Sequence, residues 1–243
     1  MRKGKRVDMG KFIILIGNYG SGKTEIAMNL VVNSAEKGLK TQVIDLDKVN
    51  DYFRLSDRVE LLHEKKIDVV SPTYAGRGVT PVNMSAAVAS AFAGDWDMVV
   101  FDVGGDAAGA ASLGRYHQDF AALEPGQLEV YDIVNVFRPM SSTPEGIIKL
   151  MGEMEGFARQ KVTGFINNSN LLTMAGTDDL RRGYDVIKAA SDMTGLPVVH
   201  TTARPEFLEE FLADGRDPKY IGEPIGLKTY MHRSWEAYTK NGF

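Results

Sequence analysis

The run Gly17-Asn18-Tyr19-Gly20-Ser21-Gly22-Lys23-Thr24 follows directly on an apolar stretch, Phe12 through Ile16, and leads directly into an amphipathic helical pattern. Strand, glycine-rich turn, Lys-Thr and helix stand in the order of the Walker A pattern, and the chemistry needs these residue types. Glycines let backbone N–H groups curl around phosphate oxygens, and the helix that follows turns its N-terminal dipole toward the same negative charge. Lys23 is placed to reach β- and γ-phosphates, and Thr24 to give its hydroxyl to Mg²⁺.

Such a loop needs strands joined by crossover helices, and the rest of the chain has that rhythm. Short apolar segments at 12–16, 41–45, 67–71, 98–102, 130–136, 162–167 and 197–200 read as strands. Helical patterns fall near 23–37, 84–93, 107–123, 144–160, 178–194 and 205–213. Gly38 and Gly94 follow the first two helices, and Gly195 with Pro197 ends the fifth. The expected fold is therefore α/β: a three-layer P-loop nucleotide-binding architecture with a mostly parallel sheet of about seven strands and helices on both faces. With 243 residues, 44% of them hydrophobic, the chain can bury one large core. A single domain over 1–243 is expected, its core at about 11–213 and a polar C-terminal extension at 214–243, read as a docking tail or a last helix. The irregular stretch 71–81, with Gly76 and Gly78, reads as a loop flanking the site or crossing the surface.

Two acidic positions belong to the same chemistry. The apolar segment Met98-Val99-Val100-Phe101 ends in Asp102, the place of a carboxylate that holds Mg²⁺, usually through a water. In Asp102-Val103-Gly104-Gly105, Gly105 is spaced for its N–H to sense a γ-phosphate. After the second strand comes Asp45-Leu46-Asp47. Ligands of open parallel sheets sit at the carboxyl ends of strands, which puts Asp47 in reach of a nucleophilic water or, through water, of Mg²⁺.

Composition removes other classes. A net charge of −4 and a charged fraction of 25% leave no excess of positive charge for a nucleic-acid backbone. The absence of cysteine excludes disulfides, thiolate metal sites and a cysteine nucleophile, and fits a reducing, cytoplasmic setting. No apolar run approaches the ~20 residues of a membrane span, and the basic start, Met1 to Arg6, reads as a solvated tail. His63, His117, His200 and His232 lack metal-ligand spacing. Asp51-Tyr52-Phe53-Arg54 and Gly114-Arg115-Tyr116-His117 combine aromatic and basic character, which suits either packing or an interface.

No Asn-Lys-x-Asp or Thr-Lys-x-Asp element for reading guanine is present, which leaves adenine and hence ATP. No glutamate follows Asp102, so the water-positioning Asp-Glu pair of motor-type and transporter-type ATPases is missing. On the Walker A loop, Asp45-Leu46-Asp47 and Asp102-Val103-Gly104-Gly105, the chain resembles the MinD/ParA and CobQ/CobB-like families of SIMIBI-type NTPases. The resemblance fades to about Phe211. It implies that Asp47 assists hydrolysis, that Asp102 to Gly105 form a switch, and that an asparagine late in the sheet reads the base edge. Asn167 and Asn168 are the candidates; residues 201–205, with Arg204 and Pro205, form a second wall. A turn-capping asparagine and a plain helix start are the alternatives for these residues.

One departure stands out. Where MinD/ParA proteins carry a second lysine that reaches across a dimer, this chain has Asn18, and a neutral amide supplies no charge to a transition state. Arg54, Arg77 and Arg115 are candidate substitutes, and Asn135-Val136-Phe137-Arg138-Pro139 borders the second-substrate side of the cleft. The resulting expectation is a slow ATPase cycling between ATP and ADP as a switch on a homodimer or a client protein. The alternatives are a carboxylate-activating enzyme of dethiobiotin or cobyrinate synthetase type, in which Arg54, Arg77 and Arg138 build a basic pocket, and an interaction module without useful turnover.

Overall fold

A computed structural model describes residues 10–47, 55–71, 81–170 and 176–231. The expectations placed on Arg54, Arg77 and His232, on the cluster at 51–54 and on the loop after Ser71 lie outside the described residues.

Eight strands form one sheet: β1 (Lys11–Ile16), β2 (Thr41–Asp45), β3 (Asp68–Val70), β4 (Met98–Asp102), β5 (Leu128–Val134), β6 (Gly164–Asn167), β7 (Val198–Ala203) and β8 (Glu223–Gly226). Their order is β3-β2-β4-β1-β5-β6-β7-β8, and every pairing is parallel. β1, the most apolar strand, lies inside the sheet with β4 on one side and β5 on the other. Register sets Asp102 of β4 level with Leu15 of β1 and Asp45 of β2, so both acids reach the sheet's carboxyl edge beside the loop that leaves β1.

Burial on both faces explains the continuous apolar runs. One face is covered by α1 (Lys23–Glu36) and α2 (Val59–Glu64), whose Ile26, Met28, Val31, Val32 and Leu62 meet Ile13, Leu15, Val43 and Val100. The other carries α3 (Pro81–Ala93), α4 (Ala107–Gly114), α5 (His117–Ala121), α6 (Pro144–Ala158), α7 (Thr177–Thr194) and α8 (Pro205–Ala213). There Phe12, Phe92, Phe101 and Phe120 make stacked and edge-on contacts with ring centroids 5.0–6.1 Å apart.

Two expectations are corrected. The helix expected at 107–123 is two helices. Tyr116 N–H turns back to Leu113 O at 2.9 Å, and Gly114 passes so close to α6 that a Cβ there would lie 2.6 Å from Phe157 O. The segment 55–64, unassigned in the sequence reading, is a 3₁₀ turn followed by α2. The sheet of about seven expected strands has eight, Glu223-Pro224-Ile225-Gly226 adding to β7 from within the expected extension. Proline and glycine in four residues conceal a strand in sequence, and an edge position tolerates both. The chain beyond β8 then turns onto α1. Lys228 N–H donates to Asn29 Oδ1 at 2.8 Å, and both oxygens of Glu25 accept backbone N–H groups, from Tyr230 at 2.5 Å and Met231 at 3.0 Å. Among the described residues no helix is long and apolar enough to cross a membrane.

Candidate phosphate-binding site

The loop 17–24 is held by its carbonyls. Lys23 Nζ donates to Gly17 O at 3.0 Å and Asn18 O at 2.9 Å, Arg138 Nε to Gly20 O at 2.8 Å, and Asn168 Nδ2 to Ser21 O at 2.7 Å. Gly22 O accepts the helical bond from Ile26 N–H. Gly22 itself has φ 95, and a Cβ on it would meet Asn168 Nδ2 at 2.2 Å, so glycine is required here on both conformational and steric grounds. No side chain caps the N-terminus of α1. Its first N–H groups have no intrahelical acceptor by the geometry of a helix start, and with the dipole they form an anion site.

Around this loop the structure gathers the expected acids. The Thr24 hydroxyl stands beside Asp102 and favours its charged form, while Asp102 Oδ1 is buried with no hydrogen-bond partner. A buried carboxylate oxygen left unsatisfied is costly unless a ligand completes it. Burial pushes the Asp102 carboxyl up to about 6, against the Thr24 hydroxyl and Lys23, which favour its charge. Asp45, held by Asp47 N–H at 3.0 Å and Ser71 Oγ at 3.2 Å, rises to about 8 through burial and the nearby Asp102. The Asp47 carboxylate lies against Gly104, where a Cβ would stand 3.3 Å from its Oδ1. Lys23 is buried and its pKa is lowered by desolvation, which Asp102, Asp47, Asp132 and Asp106 oppose.

Asp102 Oδ1, the Thr24 hydroxyl and Asp47 are a hard oxygen set that fits Mg²⁺. Among the described residues no three His, Cys, Asp or Glu side chains form a metal cage, so the ion would depend on nucleotide phosphates and water for its other ligands. Gly105 closes the arrangement: a Cβ on it would stand 2.6 Å from Tyr19 N and 2.8 Å from Lys23 Nζ. Asp106 turns the chain away, accepting Gly109 N–H at 2.7 Å as the cap of α4.

The residues expected to read the base lie at the end of β6 and at the start of α8. Asn167 is fully buried facing α7; its Oδ1 accepts Ser169 N–H at 3.2 Å, and a Cβ on Gly183 would lie 2.6 Å from that oxygen. Asn168 is engaged with the loop at Nδ2, and its Oδ1 accepts from Thr202 Oγ1 at 2.8 Å and Asn170 Nδ2 at 3.1 Å. Arg204 is exposed, pairs with Glu206 and lies over the Phe207 ring, and Pro205 opens α8, which is the helix-start alternative. Arg115, expected on the phosphate side, caps the opposite end of α4, beside the last turn of α6. The sequence reading missed the links made by Arg138, Thr202 and Asn170. Arg138 and Thr202 join strand ends distant in sequence, whereas Asn170 reaches Asn168 two residues away, and only the position of Arg138 after an apolar strand hinted at its contact.

No protein-family model matches the chain, and no curated protein matches it in sequence. Solved structures do. Chloroplast FtsY from Physcomitrella patens is 18% identical with a TM-score of 0.55, over 82% of this chain and 59% of that one. Cell division protein FtsY from Thermotoga maritima is 20% identical with a TM-score of 0.53, over 80% and 62%. The signal recognition particle receptor FtsY from Elizabethkingia anophelis, in complex with GDP, is 18% identical with a TM-score of 0.52, over 85% and 61%. The chain thus spans about three-fifths of the length of these chains. They share its fold, an α/β architecture built on a parallel sheet.

Proposed function

We propose that the chain binds a nucleoside triphosphate, ATP, with Mg²⁺ at residues 17–24 and works as a slow, nucleotide-dependent switch on a homodimer or a client protein. The observation that carries this reading is the partnerless Oδ1 of Asp102, buried beside Thr24 at the foot of an uncapped helix N-terminus. A buried acceptor next to a hydroxyl and a set of N–H donors is what MgATP would complete.

On this reading the N–H groups at the start of α1 and the Lys23 ammonium bind the phosphates, for which Lys23 exchanges the carbonyls of Gly17 and Asn18. Asp102 holds the hydrated ion, and the ion neutralises phosphate charge when bound. Asp47 orients the attacking water. Gly105, already against Tyr19 and Lys23, is the first residue of the 102–105 loop to meet a γ-phosphate, so the loop distinguishes triphosphate from diphosphate. Adenine is favoured because the end of β6 and the residues just beyond it, Asn167-Asn168-Ser169-Asn170, carry amides and no carboxylate. An acceptor-only group suits guanine's two donors, whereas an amide offers both a donor and an acceptor. Of the arginines of the carboxylate-activating alternative, Arg138 is bonded to Gly20, and Arg54 and Arg77 lie outside the described residues.

The test is phosphate release from MgATP and MgGTP by purified protein across a range of protein concentrations, with Lys23→Ala as control. A low rate with ATP that rises with concentration and vanishes in the variant is expected. Unchanged nucleotide affinity in Lys23→Ala rejects the site, and preference for GTP rejects the base assignment alone.

A further inference from the structure

The loop's second cation comes from an unexpected place. Arg138 stands just beyond β5 on a turn that is tightly held. Its own N–H donates to Asn135 O at 3.0 Å, Asn135 Oδ1 accepts Phe137 N–H at 3.1 Å, and Ser141 Oγ donates to Asn135 O at 2.8 Å. Asn135 Nδ2 in turn donates to Asn170 O at 3.0 Å, joining this turn to the end of β6. From that platform the guanidinium reaches back to the phosphate loop. Nε bonds Gly20 O at 2.8 Å, and a Cβ on Gly20 would lie 3.1 Å from Nε and 3.2 Å from Cζ. The two terminal nitrogens of Arg138 make no hydrogen bond or ion pair among the described residues.

From this geometry we infer that Arg138 is a positioning residue for phosphate binding, one that fixes the Gly20 peptide with its carbonyl turned to the guanidinium and brings a permanent positive charge to a loop whose second position is the neutral Asn18. The inference rests on the phosphate-binding reading and deepens it. A glycine-rich loop has many conformations, and ordering it costs conformational entropy; a side chain that orders it beforehand removes that cost from ligand binding. Lysine is a poor substitute. A guanidinium offers a planar fork fixed in direction and stays charged, whereas an ammonium on a flexible stem places neither the bond nor the charge as firmly.

The experiment measures dissociation constants of a fluorescent ADP analogue for the wild type, Arg138→Ala, Arg138→Lys and Lys23→Ala, with thermal melts alongside. Arg138→Ala is expected to bind roughly tenfold more weakly, the scale of one charge-assisted hydrogen bond, and Arg138→Lys to recover only part of that. Guanidinium ion at millimolar concentration should restore affinity to Arg138→Ala and leave the wild type unaffected, a rescue that a general loss of stability would not show. Wild-type affinity in Arg138→Ala overturns the inference while leaving the phosphate site standing. Full recovery in Arg138→Lys also overturns it, since charge alone would then suffice. If Arg138→Ala fails to fold, Arg138→Lys decides: weakened binding at an unchanged melting temperature supports the inference, and unchanged binding overturns it. A wild type that binds no better than Lys23→Ala rejects the underlying site instead, and the inference with it.

Discussion

Asn168 Nδ2 donates to the carbonyl oxygen of Ser21 at 2.7 Å, so the end of β6 holds the phosphate loop that follows β1. β5 lies between those two strands in the sheet, and the bond therefore bridges a strand rather than joining neighbours. Its other end is anchored, because Asn168 Oδ1 accepts from Thr202 of β7.

Asn168→Ala should leave the buried Ser21 carbonyl without its side-chain partner, while the Thr202 hydroxyl keeps only its longer bond to Asn167 O at 3.2 Å. Unsatisfied buried groups cost about 1–3 kcal/mol each. A fall in unfolding free energy of about that size is expected from urea titration, together with weaker nucleotide binding. Nucleotide affinity equal to wild type would mean the bond is structural only.

Gly105→Ala places a methyl where Tyr19 N and Lys23 Nζ already stand, at 2.6 and 2.8 Å. The 102–105 loop must then withdraw from the phosphate loop. Turnover of MgATP should fall at least about tenfold, near 1.4 kcal/mol in the barrier, while ADP affinity changes little. Equal losses for ADP and for a non-hydrolysable ATP analogue would remove the γ-phosphate-sensing role.

Asp132 sits buried in β5, where desolvation pushes its carboxyl up to about 7 despite Lys23, with Glu155 of α6 adding repulsion. Its folded value lies above the ordinary carboxylate value of 3.8, so the folded state binds the proton more tightly than the unfolded chain. That contribution is full below about 4 and is lost as pH rises through 7. Asp132→Asn should melt higher than wild type at pH 8 and show a flatter decline between pH 5 and 8, both followed by circular dichroism. Parallel melting curves across that range would show that Asp132 does not titrate there.

Glu25, in the first turn of α1, binds the backbone N–H groups of Tyr230 and Met231. Glu25→Ala should release the C-terminal segment from the helix that carries Lys23 and Thr24, at a cost of about 1–3 kcal/mol. Protease cleavage near Tyr230 at native conditions is the direct measurement. Cleavage no faster than in wild type would show that the Lys228–Asn29 bonds and the apolar contact of Met231 hold the segment without Glu25.

The sequence by itself determined the parallel sheet, the phosphate loop and the acids at the ends of β2 and β4. These are local: apolar runs, helix periods, a glycine spacing and a strand that ends in Asp are all written in neighbouring residues. It did not disclose that Asn168 holds Ser21 and Arg138 holds Gly20, nor that Arg115 stands at the far end of α4, because these depend on how the elements pack side by side. That order, β4-β1-β5-β6-β7, was decided only by the packing of the sheet. The same holds for β8 and the segment beyond it. Glu223-Pro224-Ile225-Gly226 has no strand signal of its own and becomes a strand only because β7 presents an edge whose N–H and C=O groups need partners. Asp102 shows both levels at once: its position in sequence announced a ligand, and its unpartnered, buried oxygen was created by the fold around it.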